Sequence, residues 1–186
     1  RRHLSVMPPQ DAIAIGEERA LLDEAAAGST DALARLFELH SAQVHLVAYR
    51  LTMSADEAED VVQDVFIGLP EALTAYARSG SFAGWLRAVT VRTTLMRMRS
   101  GRRREEAAKR AGAGKESALS NFLLDRMAIA TALAALPDDL RVVFMLGDIE
   151  GYTHAEIGKL LGIRAGTSEV RLHRARRKLR ALLGER

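Results

Sequence analysis

The densest run of carboxylates in this chain lies between Asp56 and Asp64, in the stretch ADEAEDVVQDVF. Such a row can hold a divalent cation or do acid–base work, and Glu57, Asp60 and Asp64 fall on one face of a helix. No His, Asn or glycine-rich loop stands where it would complete an Mg²⁺ or Zn²⁺ shell, however. His40 and His45 diverge by about 140° at about 100° per residue, which makes them poor co-ligands. GAGK at Gly112–Lys115 lacks the second half of a nucleotide-binding loop. There are 0 cysteines, so disulfides, thiolate metal sites and thiol nucleophiles are excluded. An enzyme is therefore not expected, and neither is a cofactor or a metal site.

The other chemistry available is cationic. From Thr153 to Leu183 the chain reads THAEIGKLLGIRAGTSEVRLHRARRKLRALL. Thr153 and Glu156 have the spacing of a reciprocal helix cap, Ile157, Leu160 and Leu161 follow at helical spacing, and Gly162 supplies a stop. In the helix that follows, Ser168, Leu172, Ala175, Leu179 and Leu182 make an inward stripe. Thr167, Val170, Arg174, Arg177 and Ala181 make the outward one, with Arg174 expected at its middle and Arg171 and Lys178 beside it. Two helices joined by a glycine turn, the second carrying guanidinium groups outward, suit the DNA major groove. A solvated basic helix or a coiled-coil arm is the alternative. The stripe is too short for sustained heptads, and the capped helix directly before it favours the helix-turn-helix.

These elements must be carried by a folded frame. The chain has 186 residues, of which 48% are hydrophobic and 5% aromatic. Abundant Ala, Leu and Arg with few β-branched runs point to an all-α protein. The formal net charge of +3 conceals a separation, with acids between Asp56 and Asp64 and bases after Arg97 and again after Arg171. One acidic protein contact and one polyanion contact are the expected partners of such fields. No apolar run approaches the roughly 18 residues of a membrane span, and RRHLSVMPPQ lacks the apolar core of a signal peptide, so no membrane insertion and a cytoplasmic location are expected.

Along the chain, residues 1–16 read as a flexible lead-in and Glu17–Ala27 as a first helix ending at Gly28. Ser29, Thr30 and Asp31 can cap the next, whose Leu33, Leu36, Phe37, Val44, Val47, Ala48 and Leu51 follow the spacing of a buried stripe. Ser54 and Glu57 are a further capping pair, opening a helix that buries Ala58, Val61, Val62, Val65, Phe66, Leu69 and Leu73. Pro70 should kink it near Phe66–Gly68. Tyr76–Ser81 reads as a loop, and Phe82, Trp85, Leu86, Val89 and Leu95 begin another helix, in which Phe82 and Trp85 are expected to be core. SGRRREEAAKRAGAGKES, Ser100–Ser117, loses apolar periodicity and reads as a linker. Two small domains follow, 17–99 and 119–186, with residues 100–118 between them. In the second, Phe122–Ala135 is helical, Pro137 suits the first turn of the next helix, and Gly151 ends that helix.

AEDVVQDVF at Ala58–Phe66, FAGWLRAVTVR at Phe82–Arg92 and LPDDLRVVFMLGDIEGYTHAEIGKLLGI followed by GTSEVRLHRARRKL resemble the extracytoplasmic-function group of sigma factors of the sigma-70 family. The resemblance implies a sigma2-like bundle and a sigma4-like helix-turn-helix domain. It also implies a transcription initiation factor that binds core RNA polymerase and directs it to promoter DNA. Asp60, Gln63 and Asp64 would dock on the clamp helices of the largest polymerase subunit. Tyr76, Arg87, Arg92, Arg97 and Arg99 would serve the −10 element, and Thr167, Glu169, Val170, Arg171, His173, Arg174 and Arg177 the −35 element. An anti-sigma factor is a further implied partner.

Four departures from the family pattern stand out. Arg92 and Met96 occupy positions usually held by Asn and Asp, Pro70 replaces a common Trp, and Glu169 and Val170 stand where Lys or Arg and Ser are frequent. Arg164 takes the place of a capping Ser, losing an acceptor worth about 0.5 to 2 kcal/mol. The competing reading is a stand-alone helix-turn-helix regulator that binds operator DNA as a dimer.

Overall fold

The computed structural model describes residues 9–76, 81–110 and 124–184. Those residues form helices α1 (Pro9–Ala26), α2 (Thr30–Thr52), α3 (Ala55–Ile67), α4 (Leu69–Thr74), α5 (Phe82–Arg110), α6 (Leu124–Ala134), α7 (Asp138–Phe144), α8 (His154–Leu161) and α9 (Ala165–Leu183). A π-helical turn, Met145–Ile149, extends α7, and no strand occurs among the described residues. The all-α expectation holds.

Two helices run across the expected boundaries. α1 begins at Pro9, within the expected lead-in of residues 1–16. Proline's fixed φ suits a first helical turn, and Ala12 and Ala14 extend it readily. Residues 1–8 lie outside the described ones. The chain also does not leave helical structure at Ser100, since α5 continues to Arg110. RRREEAAKR is built of good helix formers, so the loss of apolar periodicity there does not end the helix. The rest of the expected linker, with Phe122 and Leu123, falls in residues 111–123, outside the described ones, as do residues 77–80 of the expected loop.

Packing divides the chain into two compact units. One takes in the chain up to Ala48 with Ala55–Thr93, and the other takes Tyr49–Ser54 with the chain from Thr94 onward. In the first, Leu22 and Ala25 of α1, Leu36 and Val44 of α2, Ala58, Val61 and Val65 of α3, Leu69 and Leu73 of α4, and Phe82 and Leu86 of α5 form one core. The Ser29 hydroxyl accepts from the Ala32 amide at 3.3 Å, capping α2 as its sequence suggests. Pro70 acts more strongly than the expected kink. It occupies the first turn of α4, and Gly68 separates that helix from α3. A proline lacks the N–H that would continue the ladder, so the helix restarts instead of bending.

α5 buries Phe82, Leu86, Val91 and Leu95 together with Thr90 and Thr94, which the apolar pattern had not marked. The Thr90 hydroxyl donates to the Leu86 carbonyl at 2.8 Å, so a buried polar atom is satisfied within its own helix. Phe82 stacks on Trp85 with centroids 5.7 Å apart and meets His40 edge-on at 5.1 Å. Both rings belong to the core side of α5, as expected.

His40 is half-buried beside Phe82, and its Nε2 lies 3.9 Å from Glu18. Burial lowers its pKa from the ordinary 6.5, and the Glu18 charge opposes this only in part. The folded state therefore binds fewer protons at His40 than the unfolded state. The associated stability is present above the unfolded value near 6.5 and is lost as pH falls below it toward the folded pKa. Urea unfolding at pH 7.5 and 5.5 should show a destabilisation on acidification that shrinks in His40→Gln. An equal acid response in both proteins would contradict this role.

In the second unit, Ala132 and Leu136 pack on Ala175 and Leu179 of α9. Val142, Val143, Met145 and Leu146 from α7 and its π-turn are buried, as are Ile157 of α8 and Leu172 of α9. Pro137 precedes the first turn of α7 as its cap, with extended backbone, one residue earlier in role than expected. Gly151, at φ +77°, carries the chain out of the π-turn toward α8.

Candidate docking face and nucleic-acid interface

On α3 the alternation of types sets two faces. Ala58, Val61, Val62 and Val65 are buried, while Glu59, Asp60, Gln63 and Asp64 are exposed on the other side. The structure adds an apolar feature next to that polar row. Phe37, Ser41, Ala42, His45, Glu59, Val62 and Gln63 line an open groove of about 340 Å³ between α2 and α3. Phe37, expected in the buried stripe, is instead 45% exposed and leans edge-on against Phe66 at 4.9 Å. Its periodicity is that of a core residue, but α3 covers only part of the ring. A polar row beside an exposed aromatic is the composition of a protein-docking surface.

The residues expected at the −10 element do not form one patch. Arg87 and Arg92 are exposed on α5 but diverge by about 140° at about 100° per residue, whereas Arg92 and Arg99 nearly share a face. Arg97 is half-buried, and Arg99 donates to the Leu160 carbonyl. Tyr76 is half-buried, its ring 4.9 Å from Trp85 and 6.0 Å from Phe82. It belongs to an aromatic cluster at the start of α5 and does not stand out from the surface.

The helix-turn-helix is built as its local sequence dictates. The Thr153 hydroxyl accepts from the Glu156 amide at 3.3 Å, and the Glu156 carboxylate accepts from the Thr153 amide at 2.8 Å, the reciprocal cap of α8. Hydrogen bonds from the Thr153 side chain and then its backbone hold the Glu156 carboxyl below its ordinary pKa. Gly162 ends α8 at φ +69°, a left-handed conformation that glycine adopts without strain. Arg164 precedes α9 with no side-chain cap, as its type implies.

Between the two helices the chain comes unusually close to itself. A Cβ at Gly158 would lie 2.8 Å from the Ile163 carbonyl oxygen, and the Ile163 amide donates to the Gly158 carbonyl at 3.0 Å. Ser168 is fully buried, and its hydroxyl shares a 3.0 Å hydrogen bond with Nδ1 of His154. That bond joins the first residue of α8 to the first turn of α9. The apolar count had placed Ser168 inward without a partner.

On α9, Ser168, Leu172, Ala175 and Leu179 are buried, and Leu182, expected with them, is 46% exposed at the helix end. Taking the buried four as the inward direction, the opposite side falls between Val170 and Arg177, each within about 10°. Arg174 and His173 lie about 50° to either side, which corrects the expectation that Arg174 is central. Thr167, Glu169, Val170, His173, Arg174 and Arg177 are all exposed.

Arg171 and Arg176 flank the buried stripe at about 70° on its two sides. Arg171 is half-exposed and lies 3.4 Å from Asp139 of α7. The Arg176 guanidinium grips both oxygens of Asp148 in the π-turn, with Nε at 2.8 Å, and this contact raises its pKa, first by the hydrogen bond and then by charge. The two carboxylates thus clasp α9 from opposite sides. Neither was marked by sequence spacing, and only the fold brings them to the helix. Among the described residues no carboxylate pairs with Arg174 or Arg177.

Among those residues no cluster of three or more metal-binding side chains occurs, and no helix is long and apolar enough to cross a membrane. A capped helix, a glycine turn and an exposed basic helix, carried on the same chain as a helical bundle with an acidic face, define a two-part helix-turn-helix protein. Comparison with known proteins narrows this class. The family model for sigma-70 region 2 matches residues 36–104, and the model for sigma-70 region 4 matches residues 126–179.

Among characterised relatives, the ECF RNA polymerase sigma factor SigL of Mycobacterium tuberculosis is 35% identical over 89% of this chain and 97% of its own length. RNA polymerase sigma factor CarQ of Myxococcus xanthus is 32% identical over 85% and 92%. SigE of Mycolicibacterium smegmatis is 36% identical over 88% of this chain, which spans 65% of that factor's length. The chain belongs to the ECF RNA polymerase sigma factors of the sigma-70 family. Solved structures agree. RpoE from Bartonella quintana, in complex with the anti-sigma factor NepR, superposes with TM-score 0.61 at 25% identity, covering 81% of this chain and 95% of that one. CnrH, in complex with the cytosolic domain of CnrY, superposes with TM-score 0.53 at 30% identity, covering 89% and 96%.

Proposed function

We infer that this chain is a transcription initiation factor that binds core RNA polymerase and directs it to promoters by recognising −10 and −35 elements. The observation that carries the reading is the presence on one chain of both sigma-70 regions, the second containing a capped helix-turn-helix with an exposed basic face. A stand-alone operator-binding dimer leaves the matched region 2 without a task. The factor itself performs no chemistry, since bond formation belongs to the polymerase, and it acts in the cytoplasm where polymerase and chromosome meet.

Asp60, Gln63 and Asp64 dock on the clamp helices of the largest polymerase subunit, with the Phe37 groove beside them as the apolar part of the same contact. Tyr76, Arg87, Arg92, Arg97 and Arg99 serve the −10 element. There the exposed Arg87 and Arg92 offer phosphate contacts on two different sides of α5, and an unstacked base is held beside the Tyr76 cluster. Thr167, Glu169, Val170, His173, Arg174 and Arg177 face the −35 base edges, and Arg171 meets phosphate. An anti-sigma factor restrains the chain, a reading supported by the two similar structures that contain such partners.

Run-off transcription by reconstituted holoenzyme across a library of −35 elements tests this reading. Arg174→Ala should relax preference at one position, the loss of a two-point guanine contact worth about 1 to 3 kcal/mol. Arg171→Ala should lower output on all sequences alike and reduce the salt slope by no more than about one, because Asp139 already offsets part of its charge. Output independent of the −35 sequence, or a chain that forms stable dimers and ignores core polymerase, would overturn it.

A further inference from the structure

Val170 is the conspicuous residue of the recognition face. It stands in the second turn of α9, points within about 10° of directly away from the buried stripe, and is 50% exposed. Its neighbours on that face are polar, with Thr167 one turn earlier and Arg174 and Arg177 following, all exposed. Helix stability does not call for a valine here. A β-branched residue loses side-chain freedom in a helix and is less favourable than Ala. The same restriction makes it a good probe, because one χ1 well predominates and its two methyl groups are held in a defined direction.

In a helix-turn-helix the N-terminal part of the second helix reaches the base edges. A side chain there without donor or acceptor cannot join the hydrogen-bond code. The major groove offers one apolar group to meet it, the C5-methyl of thymine. We propose that Val170 is a specificity-determining residue that selects a thymine in the −35 element by packing against that methyl. The proposal rests on the promoter-reading function and adds to it the chemical group that is read. Cytosine, which presents an amino group and no methyl, is disfavoured at that position, and so is a purine on the same strand.

The test uses full-length protein in reconstituted holoenzyme. Binding selection from duplexes randomised across the −35 region identifies the preferred sequence, and each dT in it is then replaced by dU, which removes the methyl and nothing else. At one position dU should weaken binding about fourfold, the effect of one methyl group taken from water. 5-Methylcytosine in place of cytosine at that position should recover part of the loss suffered by the cytosine duplex. Val170→Ser should bind the dT and dU duplexes equally while keeping its preferences elsewhere. A selected sequence in which no dU substitution matters, or a Val170→Ser protein that keeps the full dU penalty, overturns the proposal and leaves the promoter-reading function standing. The absence of any −35 preference overturns both.

Discussion

Replacing Asp60 and Gln63 together by Ala is expected to lower affinity for core RNA polymerase about tenfold or more while leaving thermal unfolding nearly unchanged. Both side chains are exposed, on the face of α3 opposite Val61, Val62 and Val65, so the substitution removes no buried apolar area. Exposed polar replacements away from caps and cores generally change stability by no more than about 0.5 kcal/mol. Interfaces, in contrast, concentrate energy in a few residues near an apolar centre, where a single truncation can cost about 2 kcal/mol or more. Gln63 lines the groove that also exposes Phe37, so it lies at such a centre. Titration of labelled full-length chain with core polymerase, alongside a calorimetric melt, separates the two quantities. A double variant that melts much earlier yet binds core normally would show that these residues serve the fold and not the docking.

The second large effect is expected at Gly158→Val, which should unfold the helix-turn-helix and abolish −35-dependent transcription. A Cβ at this position meets the Ile163 carbonyl oxygen at 2.8 Å, and the methyl groups of Val would extend the clash into the turn. The atom in the way is backbone, so it cannot be relieved by a rotamer change. Gly158 also lies beside fully buried Ile157, leaving the helix little room to move outward. Insertions of this kind into packed sites cost about 1 to 3 kcal/mol and sometimes more, a large share of the stability of a unit this small. Circular dichroism melts should show an earlier transition, and transcription should lose its response to the −35 sequence. Core binding, which the proposed docking face on α3 carries, should survive. Unchanged melting with intact −35 use would mean that the turn can open.

Much of this protein is written in interactions that reach no further than one helical turn. The Thr153–Glu156 cap, the Gly162 stop, the polar row of α3 and the inward stripe of α9 each depend on residues three or four apart, and each stands as the local pattern implies, apart from Leu182, which is exposed at the end of α9. Motifs spread along the chain were sufficient to identify the family. Periodicity was a weaker guide where it had to report packing. It assigned Phe37 to the core, although an apolar residue at helical spacing says which way it points and not whether another helix covers it. It also read a linker from Ser100, where α5 continues through charged helix formers to Arg110.

The sequence by itself determined the helical class, the two matched regions, the caps and the chemical character of each exposed face, because these follow from backbone geometry and residue type over a few positions. Only the tertiary structure decided that Ser168 would be held by His154, 14 residues away, and Arg176 by Asp148, 28 residues away. It also decided that Val170 and Arg177, with Arg174 to one side, would point farthest from the core. Such pairings depend on which helices pack together and at what rotation. That choice is made by the summed burial of many side chains, and no single local pattern records it.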